Sequence, residues 1–240
     1  MSWRWILPVL MLMGWVGIGA AAGQAAGDEA RARVSREPAD VREALSLERE
    51  GKTAEAAATW RRVVKADPKN GQAYAQLGLL EARLGNYDAA IAAYRTVRRL
   101  RPGMPGLELN YGLALFKSER YKEAAEVLEA ELKRHPDGPE TLRLTTLTGM
   151  AYYGERDYRA AAPYLKKAAE SDPKSLPLLL ALDHCYLWTK QLDAVMEVYQ
   201  RILAIDPDSA EADMIAGEAL DEKSDITGAI AQFQAAVKAN

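Results

Sequence analysis

Residues 71–104 read GQAYAQLGLLEARLGNYDAAIAAYRTVRRLRPGM. The stretch divides at Leu84-Gly85-Asn86, a turn signal between two runs with helical periodicity. Apolar residues return at three- and four-residue steps through Tyr74, Leu77 and Leu80, and again through Ala90, Tyr94 and Val97. Pro102 closes the stretch, where it ends the second helix and suits the start of another. A unit of this length holds two helices of about three turns each and two short turns.

The same unit recurs to either side. Pro68, Pro102, Pro136, Pro173 and Pro207 are spaced by 34, 34, 37 and 34 residues. Ala44, Gly78, Gly112, Gly149, Asp183 and Gly217 form one register on the first helices. Ala56, Ala90, Ala124, Ala161, Val195 and Ala229 form a second, on the second helices, and Trp60, Tyr94, Leu128, Leu165, Tyr199 and Phe233 a third. Small rows let backbones approach, and the large row fills the space beside them. The one irregularity falls at Pro139-Glu140-Thr141, where a turn can absorb it. Ser118-Glu119-Arg120 and Glu155-Arg156-Asp157 read as further turns within units, with Asn86 and Asp157 as N-caps. The fifth unit departs from the pattern, with Asp183 in the glycine row and Val195 opposite. This predicts a wider helix pair whose carboxylate meets Lys190 or a backbone donor.

Composition agrees with an all-α chain. Alanine is the commonest residue and aromatics make up only 8%, which favours helices packed through small side chains. A single cysteine, Cys185, excludes an internal disulfide and a cysteine-rich metal site. The formal net charge of −3 gives no polybasic reason to expect nucleic acid. The clusters Arg61-Arg62-Lys65 and Arg95-Arg98-Arg99-Arg101 lie on second helices and read as solvated faces.

The amino terminus is a separate object. Arg4 precedes an uncharged run over residues 6–23, ILPVLMLMGWVGIGAAAG, closed by small residues. Residues 1–22 read as a secretory signal peptide cleaved after Ala22 or Ala25, and residues 23–36 as a linker. The alternative is an uncleaved anchor, the one expected membrane contact, since eighteen apolar residues just span a bilayer. No cysteine stands at the end of the apolar run, so a lipoprotein anchor is excluded. Either way the remainder is exported, and the expected compartment is the bacterial periplasm or cell envelope, with secretion as the alternative.

Tyr74, Leu77-Gly78, Gly85-Asn86-Tyr87, Ala90, Tyr94, Val97 and Pro102 resemble the tetratricopeptide repeat family in register. The resemblance covers residues 37–240 as six units, 37–70, 71–104, 105–138, 142–175, 176–209 and 210–240. It implies an all-α solenoid of six helix-turn-helix repeats wound as a right-handed superhelix. First helices would line a concave groove, and protein or peptide binding would be the activity. The groove positions, carried over by register, include Leu79, Leu109, Leu113, Phe116, Met150, Tyr153, Leu180, His184, Leu187 and Trp188. Arg49, Arg83 and Lys117 form a basic stripe beside them, and Glu211, Glu218, Asp221 and Glu222 an acidic end. Much of this apolar surface could instead pack between adjacent first helices. The rows that carry a carboxylate clamp in some family members hold neither Lys nor Asn here, so a chaperone-tail clamp is not expected.

No phosphate loop, nucleophile elbow or zinc-binding HExxH motif occurs, and the two histidines are too few for a metal site. His184 and Cys185 are adjacent on a helix and point apart. The expectation is a non-enzymatic adaptor without cofactor or metal, binding a protein or peptide segment. The alternative is a self-assembling structural protein. The chain stops at Lys238-Ala239-Asn240, and Ile230 and Val237 lie on one face of the last helix. An uncapped face of that kind would pair two copies as a homodimer.

Overall fold

The computed structural model describes residues 38–239. The expected leader and linker lie outside the described residues. Twelve helices and no strand occur among them. They pair as α1 (Ala39–Arg49) with α2 (Thr53–Ala66), α3 (Gly71–Arg83) with α4 (Tyr87–Leu100), and α5 (Leu107–Lys117) with α6 (Tyr121–Arg134). Then come α7 (Thr141–Glu155) with α8 (Tyr158–Ser171), α9 (Leu176–Trp188) with α10 (Leu192–Leu203), and α11 (Ala210–Glu222) with α12 (Ile226–Ala239). The three extra residues of the fourth unit are absorbed where expected, at the head of α7, where Thr141 Oγ1 donates to the carbonyl of Pro136 at 3.0 Å.

Each first helix ends in the same way. Gly51, Gly85, Glu119, Arg156, Lys190 and Ser224 hold one register, and all six have φ between 60° and 79°. The next N–H in each unit reaches back over the turn: Lys52 to Leu47 O, Asn86 to Glu81 O, Arg120 to Leu115 O, Asp157 to Tyr152 O, Gln191 to Tyr186 O and Asp225 to Leu220 O, all at 2.9 Å. This is the six-to-one closure that satisfies orphan carbonyls at a helix C-terminus. Second helices end differently. The residue before the proline leaves the helical region at Asp67 (φ −128°, ψ 87°) and Asp172 (φ −128°, ψ 78°). Asp157 caps α8, accepting from Ala160 N at 3.0 Å. Asn86 does not cap α4; its amide donates instead to Glu81 at 2.9 Å. Asn70 and Asp225 cap α3 and α12.

The glycine row is explained by its partners. A Cβ on Gly78 would sit 2.7 Å from the Tyr94 ring, one on Gly112 2.4 Å from Leu128, and one on Gly217 2.5 Å from Phe233. Each glycine is therefore the socket for the large residue of its own unit. In the fifth unit the socket holds a carboxylate. Asp183 is 0% exposed, and neither oxygen has a hydrogen-bond partner in the structure. The expected contact with Lys190 or a backbone donor is not made; the lysine pairs with Glu222. The Asp183 side chain starts on the core side of α9, between apolar neighbours, whereas Lys190 lies beyond the helix end in solvent. Burial pushes the Asp183 carboxyl up to about 8. Tyr199, its partner by register, donates to Asp213 of the next unit at 2.7 Å and lies 2.8 Å from the Gln232 amide.

Neighbouring units are tied across their helices. Arg61 reaches buried Glu81 at 2.6 Å, Arg95 donates to the Tyr111 hydroxyl at 3.0 Å, and Arg98 pairs with Glu108 at 3.0 Å. These arginines, expected as a solvated face, bind a second helix to the first helix of the next unit. First helices of successive units also touch, α3 with α5, α5 with α7, α7 with α9 and α9 with α11, while second helices do not meet to that extent. The first helices therefore form the inner edge of a curved stack.

Candidate functional site

The inner edge has a dense centre where the fourth and fifth units meet. Tyr153 on α7, Tyr158 at the head of α8, and His184 and Trp188 on α9 form a continuous ring cluster. Tyr158 stacks on Trp188 with centroids 5.5 Å apart, and also lies 5.5 Å from His184 and 5.8 Å from Tyr153. His184 lies 5.8 Å from Tyr153 and 6.2 Å from Trp188. Hydrogen bonds fix the histidine. Trp188 Nε1 donates to His184 Nε2 at 2.9 Å, so that nitrogen carries no proton. The imidazole proton therefore sits on Nδ1 and is donated to the Tyr153 hydroxyl at 3.0 Å. Burial raises the Tyr153 phenol, and Tyr158, Cys185 and the charge of Glu211 add to the shift. Trp188 is 60% exposed, which is unusual for the largest apolar side chain and marks it as available.

Two clefts flank this cluster. Towards the amino terminus, Leu79, Arg83, Tyr87, Asn110, Leu113 and Lys117 line a cleft of about 200 Å³. Neither Arg83 nor Lys117 has an ion-pair partner among the described residues. Burial pushes the Tyr94 phenol below it up to about 12, against the nearby charge of Arg83. Towards the carboxyl terminus, His184, Ala210, Glu211, Met214, Ile215 and Glu218 line a cleft of about 500 Å³. Glu211, Met214 and Glu218 are exposed on one face of α11. The concave side thus runs from basic to acidic with an aromatic centre.

The positions read by register are not all on this surface. Leu79, Leu113, Phe116, Met150, Tyr153, Leu180 and His184 are half-buried, and Arg49, Arg83, Lys117 and Trp188 are exposed. Arg49 is spent locally, with Nε donating to its own Leu45 carbonyl at 3.2 Å. Leu109 and Leu187 are corrections, since both are buried. Leu109 lies in the first turn of α5 and packs in the cluster of Ala90, Ile91 and Tyr94 on α4. Leu187, in the last turn of α9, packs with Val195, Ile215 and Ala219. Both side chains leave their helices on the side that faces a neighbouring helix, whereas Lys117 and Trp188, on the same two helices, are exposed.

The sequence reading missed the tyrosines at the heads of second helices. Tyr87 lines the basic cleft, Tyr121 meets Phe116 edge-on at 5.3 Å, and Tyr158 joins the ring cluster. They keep the repeat spacing, so the signal was present, but the groove had been assigned to first helices alone. Gly154 makes room for this row, since a Cβ there would lie 2.7 Å from the Tyr121 ring. Cys185 is buried, and its surroundings push the thiol up to about 12, away from nucleophilic reactivity. Among the described residues, no group of three His, Cys, Asp or Glu could hold a metal ion, and no helix is long and apolar enough to cross a membrane.

Two profiles described as tetratricopeptide repeat match the chain, one over residues 41–105 and the other over 81–146 and 152–219. The chain belongs to the tetratricopeptide repeat family. Its members generally mediate protein–protein interaction and are typically non-enzymatic. No curated protein matches the sequence. Among solved structures, the one titled "Crystal structure of YrrB: a TPR protein with an unusual peptide-binding site" is similar with a TM-score of 0.66 and 20% identity, over 77% of this chain and 93% of that one. The structure titled "MamA MSR-1 C2" is similar with a TM-score of 0.63 and 20% identity, over 70% and 95%. MamA from Desulfovibrio magneticus RS-1 is similar with a TM-score of 0.60 and 22% identity, over 71% and 94%. At such identities the likeness concerns the fold.

Proposed function

We propose that the protein is an interaction scaffold of the bacterial periplasm or cell envelope that holds a segment of another protein along its concave side. One observation carries the reading: an aromatic cluster with a 60% exposed Trp188 stands between two clefts of opposite charge on the inner edge of the stack. Phe116→Ala, Tyr153→Ala and Trp188→Ala, each made singly, are expected to weaken capture of the partner by about 1–3 kcal/mol. Quantitative pull-down from envelope fractions reads this, and unchanged capture by all three removes the groove from consideration. Export rests on the apolar run of residues 6–23. Mass spectrometry of the exported chain is expected to give an amino terminus between Gly23 and Gly27, whereas an intact chain recovered in membranes means an anchor.

A second reading, self-assembly through the last helix pair, is favoured by one feature of α12. Ile230 is 51% and Val237 78% exposed, on one face. Two copies meeting there would bury the same patch twice.

A further inference from the structure

We propose that the carboxyl-terminal cleft of the groove receives a cationic–apolar stretch of the partner. A lysine or arginine side chain lies between Glu211 and Glu218, its apolar neighbour lies against Met214, and the stretch continues past His184 to Trp188, one turn further along α9. The inference rests on the reading of the concave side as the binding surface and names the chemistry of its occupant.

Charge complementarity is the first argument. Glu211 and Glu218 are exposed, stand seven residues apart on one face of α11, and have no ion-pair partner among the described residues. The nearby cations are already engaged: Lys190 with Glu222, and Lys223 with Asp193 at 2.5 Å. The second argument is shape. A cleft of about 500 Å³ is within the range that takes a small ligand or more than one side chain, and its two carboxylates stand seven residues apart along α11. Separated carboxylates suit a long, many-donor cation better than a compact one. The third is the aromatic side chain beside the cleft, for Trp188 lies one turn along α9 from the lining residue His184. Trp188 is covered on one side by Tyr158, and its indole N–H is satisfied by His184. What remains is a ring face, which attracts cations and apolar groups alike. An acidic segment would meet repulsion here and belongs over Arg83 and Lys117.

The test uses the full chain and three short capped peptides of one length, which alternate Leu with Arg, Gln or Glu. Isothermal titration is expected to show the Arg peptide binding at least tenfold tighter than the Gln peptide, with no binding of the Glu peptide at this end. Glu211→Gln with Glu218→Gln should abolish the preference of Arg over Gln while leaving Gln binding unchanged. Trp188→Ala should weaken both. These residues are exposed, so an unaltered circular dichroism spectrum shows that the variants fold. A Gln peptide that binds as tightly as the Arg peptide, or an Arg preference that survives the double substitution, overturns the proposal. If peptide binding still responds to Trp188→Ala and Phe116→Ala in that case, the groove reading stands and only the charge chemistry falls. If the Arg peptide binds more weakly than about 1 mM, the proposal falls outright.

Discussion

Asp183 occupies a socket that other units leave to glycine or alanine, and it does so without a partner for either oxygen. Burial places its carboxyl near 8, far above the ordinary value of about 4 in an unfolded chain. Folding therefore takes up a proton over that interval. The contribution of Asp183 to stability is fullest below about pH 4, falls as the pH rises, and levels off once the folded group has ionised above about pH 8. Urea unfolding as a function of pH is expected to show this decline in the natural chain and not in Asp183→Asn. Asp183→Ala, which removes the orphaned acceptors, should be more stable by about 1–3 kcal/mol on the alkaline side. The oddity of this residue was legible, because the repeat register exposes any member that breaks it. Its lack of a partner was not, because sequence spacing does not say which side of a helix end a lysine occupies.

The six helix ends show where local sequence stops being informative. Gly85 announces its turn, since glycine reaches positive φ at little cost. Arg156 and Ser224 do not, yet they adopt φ 67° and 62° in the same register. There the tertiary demand for the helix closure overrides a side-chain preference worth about 1–2 kcal/mol. Arg156→Gly and Ser224→Gly are each expected to raise stability by up to about 1 kcal/mol, read from denaturation midpoints, with no change of fold. The glycine row behaves oppositely. Gly112→Ala places a methyl against Leu128, which is fully buried, and should cost about 1–3 kcal/mol. A double-mutant cycle with Leu128→Val should recover part of that loss, because the two side chains compete for one volume. The pairing of rows was legible from their spacing. The burial of Leu109 and Leu187 was not, because register fixes a position along a helix and leaves open which neighbour covers that side of it.

Over the whole molecule, stability is close to a sum of pairs and of interfaces between neighbouring pairs. On the last helix of the described residues, α12, Ile226, Ile230 and Val237 are exposed to solvent. Sedimentation of the protein at micromolar concentration decides whether that face is an interface. A dimer lost in Ile230→Glu with Val237→Glu assigns it to self-association. A monomer unaltered by those changes leaves the groove as the sole binding surface proposed. The solenoid architecture was legible almost entirely from the proline spacing, since a repeat that cannot bury its own face must stack. The polarity of the groove, basic to acidic, was visible in outline. Its centre became clear only when Tyr158, on a second helix, was found stacked against Trp188 on a first.

The bond from His184 to Tyr153 joins the fifth unit to the fourth on the inside of the bend, and the same imidazole holds Trp188. Mechanically this is a clasp across the junction of two units. Among the described residues three units extend from it on one side and one on the other, so a small change of angle at the clasp becomes a large displacement at the ends. A ligand that draws Trp188 towards itself pulls on the clasp as well. Occupancy of the groove would then be written into the arc of the whole solenoid, where small-angle scattering would record it as a change in radius.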